Sequence, residues 1–406
     1  MGIKGLSKLL ADEAPDCVKE TAMKNYFGRA VAIDASMAIY QFLVAVRSQG
    51  GGGGGSYGGG AYGQLTNDAG EVTSHLIGFF YRTIRLMTNG LKPVWVFDGK
   101  PPTLKSGELA KRKAVKAKAQ ADLKEAEAKA EAGEEGAAAD VERFAKRTVS
   151  MTKQNQEDVK KLLRLMGCPV IEAPCEAEAS CAALARMGKV WATATEDMDA
   201  LTFATPFLLR RLTFSEARKL PVMEFNYQKA VQGLGLSHDQ FVDLCILCGC
   251  DYTDSIRGVG PKTALKLIRE HGSLEKIIPV CEAHAKWQVP DSLKENYAEA
   301  RRLFKQADVV DPAATSLKWT APDEAGLVQY LAVEKGFSED RVRSGIAKMK
   351  KAKGKQAQRR MDSFFKVVAA PSGANKKRKQ APKGKKGKKG KGKGGGFGFG
   401  KKKFKR

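Results

Sequence analysis

The sequence predicts an α/β fold, with a mixed, mostly parallel central sheet flanked by helices. Three short apolar runs, at 29–33, 93–97 and 189–195, have the composition of strands that are buried on both faces. Helical patterns at 74–88 and 154–166 lie between them. Because strands that alternate with helices are typical of parallel sheets, we expect the three runs to lie in one sheet.

Each of these runs leads into acidic residues. Asp34 follows the first run, Asp98 follows the second, and Asp197 and Asp199 follow the third. A single strand ending in aspartate would mean little, because aspartate is a common turn residue. Open α/β sheets bind ligands beyond the carboxyl ends of their strands. Three such strands on one edge therefore predict a site made of carboxylates.

Two later segments add three more acids. Glu176 and Glu178 follow Pro174, and at the start of a helix both could point to one site. Asp251 follows the segment 247–250. The candidate metal ligands are thus seven carboxylates: Asp34, Asp98, Glu176, Glu178, Asp197, Asp199 and Asp251.

So many carboxylates would repel one another strongly without cations. Hard divalent cations prefer oxygen ligands, and magnesium keeps several waters when it binds. Two such ions about 4 Å apart would clamp both sides of a phosphodiester displacement. None of the candidate positions is a histidine, which argues against a zinc hydrolase.

The segments between these acids have distinctive compositions. Residues 48–63 are glycine-rich and predict a flexible loop. Residues 105–147 are rich in Ala, Lys and Glu, and predict a helix that is either stable alone or formed with a partner. The stretch 256–263 predicts a turn that opens a helix. Gly258 and Gly260 would let its backbone approach a phosphate.

The charge of the chain is concentrated at its end. Residues 348–406 contain 24 Lys and Arg and one acid, whereas residues 1–347 carry a net charge of +2. We therefore predict a core at 1–347 and a disordered basic tail at 348–406, because Lys/Gly repeats cannot offset chain entropy. A polycation favours a nucleic-acid partner, with a tail that only aids solubility as the alternative.

The eight cysteines are expected to be reduced thiols, because no secretory pattern follows Met1. Cys245, Cys248, Cys281 and His284 have the residue count of a zinc site, but the first two lie in the apolar run 241–248. Buried hydrophobic cysteines are the favoured interpretation. No run of 18 uncharged apolar residues occurs, so we expect no membrane partner.

Five motifs, in the same order along the chain, resemble the eukaryotic flap endonucleases of the xeroderma pigmentosum G (XPG) nuclease family. They are MGIKGL at 1–6, VFDGKPP at 96–102, EAEA at 176–179, TEDMD at 195–199 and GVGPK at 258–262. The resemblance covers residues 1 to about 367. It implies an N-terminal region at 1–116, a helical arch at about 105–147 and an internal region at 140–271.

The resemblance also implies roles for individual residues. Asp34, Asp98, Glu176 and Glu178 would serve a first magnesium ion, and Asp197, Asp199 and Asp251 a second, with Mn²⁺ as a substitute. Lys105 and Arg112 would be catalytic residues that reach the scissile phosphate. The DNA-binding residues would be Gly2, Tyr40, Arg47, Arg82, Glu176, Gly258, Gly260 and Lys262. A potassium ion would assist the helix–two-turn–helix around 258–262.

In the tail, Gln358, Met361, Phe364 and Phe365 fit a pattern that resembles the peptide docking on the replication sliding clamp, proliferating-cell nuclear antigen. Replication, base-excision repair and a nuclear location would follow, with nucleolus and mitochondrion as alternative locations. The basic run 376–379 suits nuclear import. The resemblance implies a monomer that hydrolyses DNA bearing 5′ flaps, with 5′–3′ exonuclease activity.

Three departures from the family pattern stand out. Residues 50–61 look like an insertion, Ala114 and Val115 replace charge in the arch, and Cys175 replaces a small hydroxyl residue, removing a helix N-cap. Two alternatives stay open. One is a sister nuclease acting chiefly as an exonuclease or on gaps or bubbles, and the other is a non-catalytic DNA- and clamp-binding adaptor. An adaptor would be expected to have lost some of the seven acids.

Overall fold

The computed structural model describes residues 2–47, 73–134, 136–214 and 220–355. The glycine-rich segment 50–61 lies outside these ranges, as does the predicted clamp peptide with Gln358, Met361, Phe364 and Phe365. Arg47 is the last residue of a helix, and only its backbone is described.

One seven-stranded sheet runs through the molecule in the order β1-β7-β6-β5-β2-β3-β4. Strands β2 to β6 are parallel to their neighbours within that group, and β7 runs antiparallel to both β6 and β1. The prediction of a mixed, mostly parallel sheet is therefore confirmed. The strands are β1 (Val18–Thr21), β2 (Ala30–Asp34), β3 (Lys92–Phe97), β4 (Val170–Glu172), β5 (Ala192–Ala194), β6 (Phe207–Arg210) and β7 (Val222–Asn226).

Helices surround this sheet, and a π-helical stretch at Val328–Glu334 follows α14. The α-helices are α1 (Leu6–Glu13), α2 (Ala35–Arg47), α3 (Ser74–Thr88), α4 (Ser106–Glu131), α5 (Ala137–Arg147), α6 (Lys153–Leu165), α7 (Ala177–Arg186), α8 (Asp199–Thr202), α9 (Tyr227–Leu234), α10 (His238–Cys248), α11 (Pro261–His271), α12 (Leu274–Glu282), α13 (Asp291–Lys305), α14 (Glu324–Leu327) and α15 (Glu339–Lys355).

The three apolar runs form β2, β3 and β5, with β2 between the other two. Ile33 pairs with Trp95 on one side and with Ala194 on the other, so the carboxyl ends of the three strands are level. All three of these side chains are almost fully buried, as expected for strands covered on both faces. Strand β5 is shorter than the predicted run, because its first residues form the turn after α7, where Gly188 has φ +70°.

The predicted arch consists of two helices. Helix α4 ends at Glu131 and α5 begins at Ala137, and Gly133 and Gly136 between them have φ values of +77° and +84°. Such values suit glycine, so these two residues break the helix and let α5 fold back on α4. Most of the side chains on α4 are exposed, apart from residues such as Ala119 and Ala126.

The core extends beyond the predicted boundary at residue 348, which is therefore wrong as a start of disorder. Helix α15 continues to Lys355, and Met349 and Ala352 are buried. Together with Val342 and Ile346 they form an apolar stripe at helical spacing within the cluster that contains α3. The lysine-rich composition of 348–355 concealed this stripe.

The cysteines of the described ranges are free thiols. Cys245, Cys248 and Cys281 are buried, whereas His284 is exposed and stacks on Trp287 at 3.8 Å between ring centroids. No metal-binding group forms among the described residues from these side chains. Among these residues, no helix has both the length and the apolar character needed to span a membrane.

Candidate active site

All seven predicted acids lie around the carboxyl edge of the sheet. Their positions are the end of β2 (Asp34), the residue after β3 (Asp98), the start of α7 (Glu176, Glu178), the loop after β5 (Asp197), the start of α8 (Asp199) and the segment after α10 (Asp251). Asp98 is exposed and Asp251 half-buried, while the other five are buried. The structure therefore brings together acids that are up to 217 positions apart in the sequence.

Hydrogen bonds fix the two acids of the central strands. Asp34 accepts the backbone N–H of Met37 at 2.9 Å and the hydroxyl of Thr195 at 3.0 Å. Asp98 accepts the backbone N–H of Ala177 at 2.8 Å, in the first turn of α7. Each carboxylate is thus oriented by a neighbouring element of the fold, which preorganises the site.

The acids after β5 are held by their own loop. Asp197 accepts the backbone N–H of Asp199 at 3.0 Å, and its own N–H donates to Thr195 Oγ1 at 3.1 Å. Thr195 therefore links this loop to Asp34. Asp199 Oδ1 is buried, and within the described ranges it has no hydrogen-bond partner.

The acid pair Glu176 and Glu178 lies at the start of a helix, as predicted, but the N-cap residue differs from the expected one. Glu176 is the N-cap residue and Glu178 lies in the first turn, so both face the site. The N-cap is therefore Glu176 and not Cys175, so the absent hydroxyl at 175 removes no cap. The Glu176 carboxylate accepts hydrogen bonds from Lys105 Nζ and from the Tyr252 hydroxyl.

Burial and mutual repulsion make the site electrostatically unfavourable without cations. Burial, followed by the charge of Asp98, raises the pKa of Asp34 to about 7. Burial and neighbouring carboxylates also raise the pKa of Glu178 and of Asp199 well above their usual values. Carboxyl groups whose pKa values are raised by burial and by neighbouring carboxylates indicate a site that lacks positive charge.

The predicted catalytic cations supply part of that charge. Lys105 pairs with Glu176 and lies 3.2 Å from Asp251 Oδ2, and Arg112 Nη2 lies 2.8 Å from the same oxygen. Burial disfavours the charged form of Lys105, but the charges of Glu176, Glu178 and Asp251 outweigh burial and raise its pKa. The N-terminal part of α4 and the residue before it therefore lie against the acids.

The residues fit a hard divalent cation by donor chemistry, since they offer carboxylate oxygens at high negative charge. Buried Asp199 Oδ1, which lacks a partner among the described residues, is an available ligand atom. As positioned, no three acidic, histidine or cysteine side chains of the described residues surround a single point. Lys105 and Arg112 form ion pairs with Glu176 and Asp251 instead. These two acids would therefore have to release a cationic side chain before they could bind a metal ion.

Family models match two parts of the chain. The XPG N-terminal domain matches residues 1–119, and the XPG I-region matches residues 167–251. Among curated proteins, flap endonuclease 1 of Nematostella vectensis is 55% identical over 95% of this chain and 96% of its own length. Flap endonuclease 1 of Aedes aegypti is 56% identical over 93% and 94%.

This chain belongs to the flap endonuclease 1 family. It is therefore a structure-specific DNA nuclease, and enzymes of the XPG family depend on a metal ion, generally Mg²⁺. Among solved structures, flap endonuclease-1 from Methanococcus jannaschii is 30% identical with a TM-score of 0.61, covering 86% of this chain and 99% of that one. The catalytic core of Rad2 in complex with DNA substrate, 24% identical with a TM-score of 0.61, shares the fold over 86% of this chain and 100% of that one.

The other predicted DNA-binding residues of this flap endonuclease occupy two places. The first place is formed by helices α2 and α3. Tyr40 of α2 is 40% exposed, so it is not a core tyrosine, and the Arg82 guanidinium of α3 lies 3.7 Å from the Phe42 ring centroid. The second place is the turn before α11, where Gly258 has φ +90° and Gly260 is the N-cap residue of the helix. Lys262 follows in α11, and its amino group lies 3.2 Å from Asp12.

The N-terminal segment connects this second place with the acids. A Cβ on Gly2 would overlap the carboxylates of Asp197 and Asp199, and a Cβ on Gly5 would lie 2.7 Å from the ring of Pro261. Both glycines have φ near +70°, a conformation that favours glycine. Gly2 therefore lies beside the acids, as the family resemblance implies, and its neighbours reach the start of α11.

Sequence reasoning missed two polar residues at the site. Thr195 ends the third apolar run and precedes the acids, and Tyr252 directly follows Asp251. Adjacency to a candidate acid was the available signal. The tyrosine's partner, Glu176, is 76 positions away, so the contact itself could not be foreseen.

Proposed function

We propose that this chain is a 5′-flap endonuclease with 5′–3′ exonuclease activity, which hydrolyses phosphodiesters at single-strand/duplex junctions using two magnesium ions. The observation that carries the proposal is the edge of seven carboxylates, onto which an arch helix directs Lys105 and Arg112. Two divalent ions would neutralise the acids and polarise the scissile phosphate, and Mn²⁺ would substitute for Mg²⁺.

The residues of the chain have distinct tasks in this reaction. Asp34, Asp98, Glu176 and Glu178 would hold one ion, and Asp197, Asp199 and Asp251 the other, some through water. Lys105 and Arg112 would place positive charge against the phosphoryl oxygens where negative charge develops. Because both cations already lie at the acids, a phosphate that reaches the site would find them within a short side-chain movement.

Duplex DNA would be gripped at the turn before α11. Gly260 provides no side-chain cap to this helix, so backbone N–H groups of its first turn remain for a phosphate. A potassium ion held at the helix–two-turn–helix around 258–262 would strengthen that contact. Tyr40, which is exposed, would stack on a displaced base, and stacking tolerates any base sequence.

We further propose that the enzyme acts as a monomer in nuclear replication, in Okazaki-fragment maturation, and in base-excision repair. The pattern at 358–365 supports recruitment by the replication sliding clamp, and the basic run 376–379 supports a nuclear location. Both segments lie outside the described residues.

The catalytic proposal is tested with a labelled double-flap substrate, with and without Mg²⁺. We expect cleavage at the junction only with metal, and Asp197→Ala should lose it while binding the flap with nearly parental affinity, because carboxylates hold metal and repel phosphate. Asp291→Ala, at a position 82% exposed on the side chain, is the matched control. Binding without cleavage by the parent chain would support an adaptor, and preference for nicked or gapped duplex would support a sister nuclease.

The recruitment proposal is tested separately with Phe364→Ala combined with Phe365→Ala. Buried aromatic side chains commonly dominate small interfaces, so clamp binding measured by calorimetry should largely vanish. Clamp-free cleavage should stay close to normal, because more than 100 positions separate these rings from Asp251. Parental clamp affinity would show that 358–365 is not the docking peptide.

A further inference from the structure

The loop that carries two of the acids is attached to the turn that follows β6. We call residues 195–199 the acid loop and residues 210–214 the β6 turn. Strands β5 and β6 are parallel neighbours, so the acid loop and the β6 turn leave the same edge of the sheet side by side. Between Thr195 and Asp197 in the acid loop lies Glu196, an acid that the seven-carboxylate site does not use.

Both oxygens of Glu196 are engaged by the β6 turn. Oε1 accepts the backbone N–H of Arg211 at 2.6 Å, and Oε2 lies 3.5 Å from the Arg210 guanidinium Nε. Arg210 Nη1 also lies 3.6 Å from Met198 Sδ in the acid loop. The Glu196 side chain is only 13% exposed, so these contacts are largely shielded from water.

The backbone of the β6 turn is strained at the residue that Glu196 holds. Arg211 has φ +62°, a left-handed backbone conformation that residues other than glycine rarely adopt. Such strain persists where the surroundings impose it, and it often accompanies function. Here the conformation presents the Arg211 N–H to Glu196, and the Arg211 guanidinium lies 3.3 Å from Glu20 of β1.

The β6 turn also contacts the helices that carry predicted DNA-binding residues. Thr213 donates to the side-chain oxygen of Gln41 in α2 at 3.2 Å, next to Tyr40. Arg85 of α3 donates to the Phe214 carbonyl at 2.5 Å, one turn after Arg82. A single turn is therefore bonded to the acid loop on one side and to α2 and α3 on the other.

We propose that Glu196 is a positioning residue: it fixes the acid loop, and thereby Asp197 and Asp199, to the β6 turn and to the helices bonded to that turn. The inference rests on the proposed metal-dependent cleavage. Residues that orient metal ligands without touching the metal typically change metal affinity by about 10–100-fold when mutated. Glu196 would act in this way, and it would also keep the acids in register with α2 and α3.

The test compares Glu196→Ala, which loses both contacts, with Glu196→Gln, which keeps an acceptor for the Arg211 N–H but loses the charge facing Arg210. Glu172→Ala is the matched control, because Glu172 also ends a parallel strand and pairs with Lys160, at 3.0 Å, away from the acid loop. Mn²⁺ binding without DNA is measured by electron paramagnetic resonance. Flap binding in Ca²⁺, thermal unfolding and the Mg²⁺ dependence of cleavage are measured alongside.

We expect Glu196→Ala to weaken Mn²⁺ binding about tenfold and to raise the Mg²⁺ needed for half-maximal cleavage by a similar factor. Glu196→Gln should be intermediate, and Glu172→Ala should match the parent. If Glu196→Ala fails to fold, Arg210→Gln should still weaken Mn²⁺ binding, whereas Arg211→Gly should not. Parental Mn²⁺ affinity in folded Glu196→Ala or, where that variant does not fold, in folded Arg210→Gln would overturn the inference. A parent that cleaves without metal would instead overturn the proposed function.

Discussion

The acids at the sheet edge and the buried acid of α10 differ in how their charge is compensated. At the edge, Lys105 and Arg112 pair with two of the seven carboxylates, Glu176 and Asp251. Burial raises the pKa of Asp34, Glu178 and Asp199. Asp243 of α10, by contrast, pairs with Arg301. The Nε and Nη2 atoms of Arg301 lie 2.7 and 2.9 Å from the two carboxylate oxygens of Asp243. We call Asp243, Glu275 and Arg301 the Arg301 cluster.

The Arg301 cluster is complete within the chain. Arg301 also lies 2.7 and 3.1 Å from the two oxygens of Glu275, and Asp243 accepts the backbone N–H of Leu274 at 3.1 Å. Burial still raises the pKa of Asp243, while hydrogen bonds from Arg301 hold the pKa of Glu275 at about 2. The two partners differ in direction because Asp243 is almost fully buried and Glu275 is half exposed.

A structural acid and a functional acid can be told apart by the positive charge that the fold places beside each. A structural acid has its cation built into the fold, and its loss destabilises the protein. A functional acid has less positive charge than it needs, so the folded state bears a cost that a ligand removes. Stability measured without metal should therefore respond in opposite directions in the two places.

The largest effect is expected for Asp199→Asn. Cleavage should fall by at least about a thousandfold, as for other essential active-site groups. The metal-free free energy of unfolding should rise by about 1 kcal/mol, because a carboxyl group that is disfavoured by burial and by like charges is removed. Single-turnover cleavage and urea unfolding in EDTA measure the two effects. A loss of metal-free stability would place Asp199 among the structural acids.

Next in size is Arg301→Met, which leaves Asp243 buried without its cation. We expect the free energy of unfolding to fall by about 3 kcal/mol, the usual cost of breaking a buried pair. Arg302→Met is the control, because Arg302 pairs with Glu299 in solvent and should cost less than about 0.5 kcal/mol. Cleavage by folded Arg301→Met should stay near parental, and a large loss would give the cluster a role in the reaction.

The substitution Tyr252→Phe should affect both the reaction and the fold. It removes the hydroxyl that donates to Glu176 and leaves the ring in place. Cleavage should fall about tenfold, as when other groups that orient metal ligands are lost. The free energy of unfolding should fall by about 1 kcal/mol, the typical value of one hydrogen bond. Unchanged cleavage with reduced stability would show that Tyr252 serves the fold alone.

The pH dependence of metal-free stability should have opposite slopes for the two clusters. The pKa of Asp34 is raised from 3.8 to about 7, so the folded state binds more protons and its stability falls as pH rises through that window. The pKa of Glu275 is lowered from 4.5 to about 2, so its contribution is lost as pH falls through that window.

Unfolding by urea at several pH values measures these slopes. Asp34→Asn should flatten the first slope and Glu275→Gln the second. The Glu275 effect should be about 1 kcal/mol, since its side chain is 46% exposed and screened by solvent. Saturating Mg²⁺ should abolish the Asp34 slope and leave the Glu275 slope in place. Equal responses of both slopes to Mg²⁺ would contradict the comparison.

The smallest effect is expected from deleting residues 50–61, which lie outside the described residues. Loop length costs little entropy, so the free energy of unfolding should change by less than about 1 kcal/mol. Flap cleavage should be nearly unchanged, because glycines carry no side chain for chemistry. A loss of flap selectivity in the folded variant would assign this segment a DNA contact.

The sequence predicted the site better than it predicted the electrostatic partners. Strands β2 and β3 and the acids that follow them are local signals: a run of apolar residues and the next few positions. The start of α7, directly after Glu176, is likewise visible from Pro174. The pair of Asp243 and Arg301 spans 58 positions, and no local pattern indicates which of many arginines meets a given acid.

Two element boundaries were also hidden, for different physical reasons. The break in the arch needs positive φ at Gly133 and Gly136, whereas an alanine-rich composition favours an uninterrupted helix. The end of α15 is stabilised by Met349 and Ala352, which tertiary packing buries within a lysine-rich stretch. In both places the helix ends at a residue that the average composition of the segment does not predict, because individual residues and their tertiary contacts set the boundary.

The hydrogen bond from Ala177 to Asp98 means that the Glu176–Glu178 segment cannot be transplanted as a unit. The first N–H groups of a helix have no partner within the helix and need acceptors from elsewhere. Here Glu176 turns its carboxylate to Lys105 and Tyr252, and Asp98, 79 positions earlier, accepts the Ala177 N–H. A designer who grafts this helix into another scaffold must therefore bring the end of β3 with it, because the Ala177 N–H would otherwise lose its acceptor.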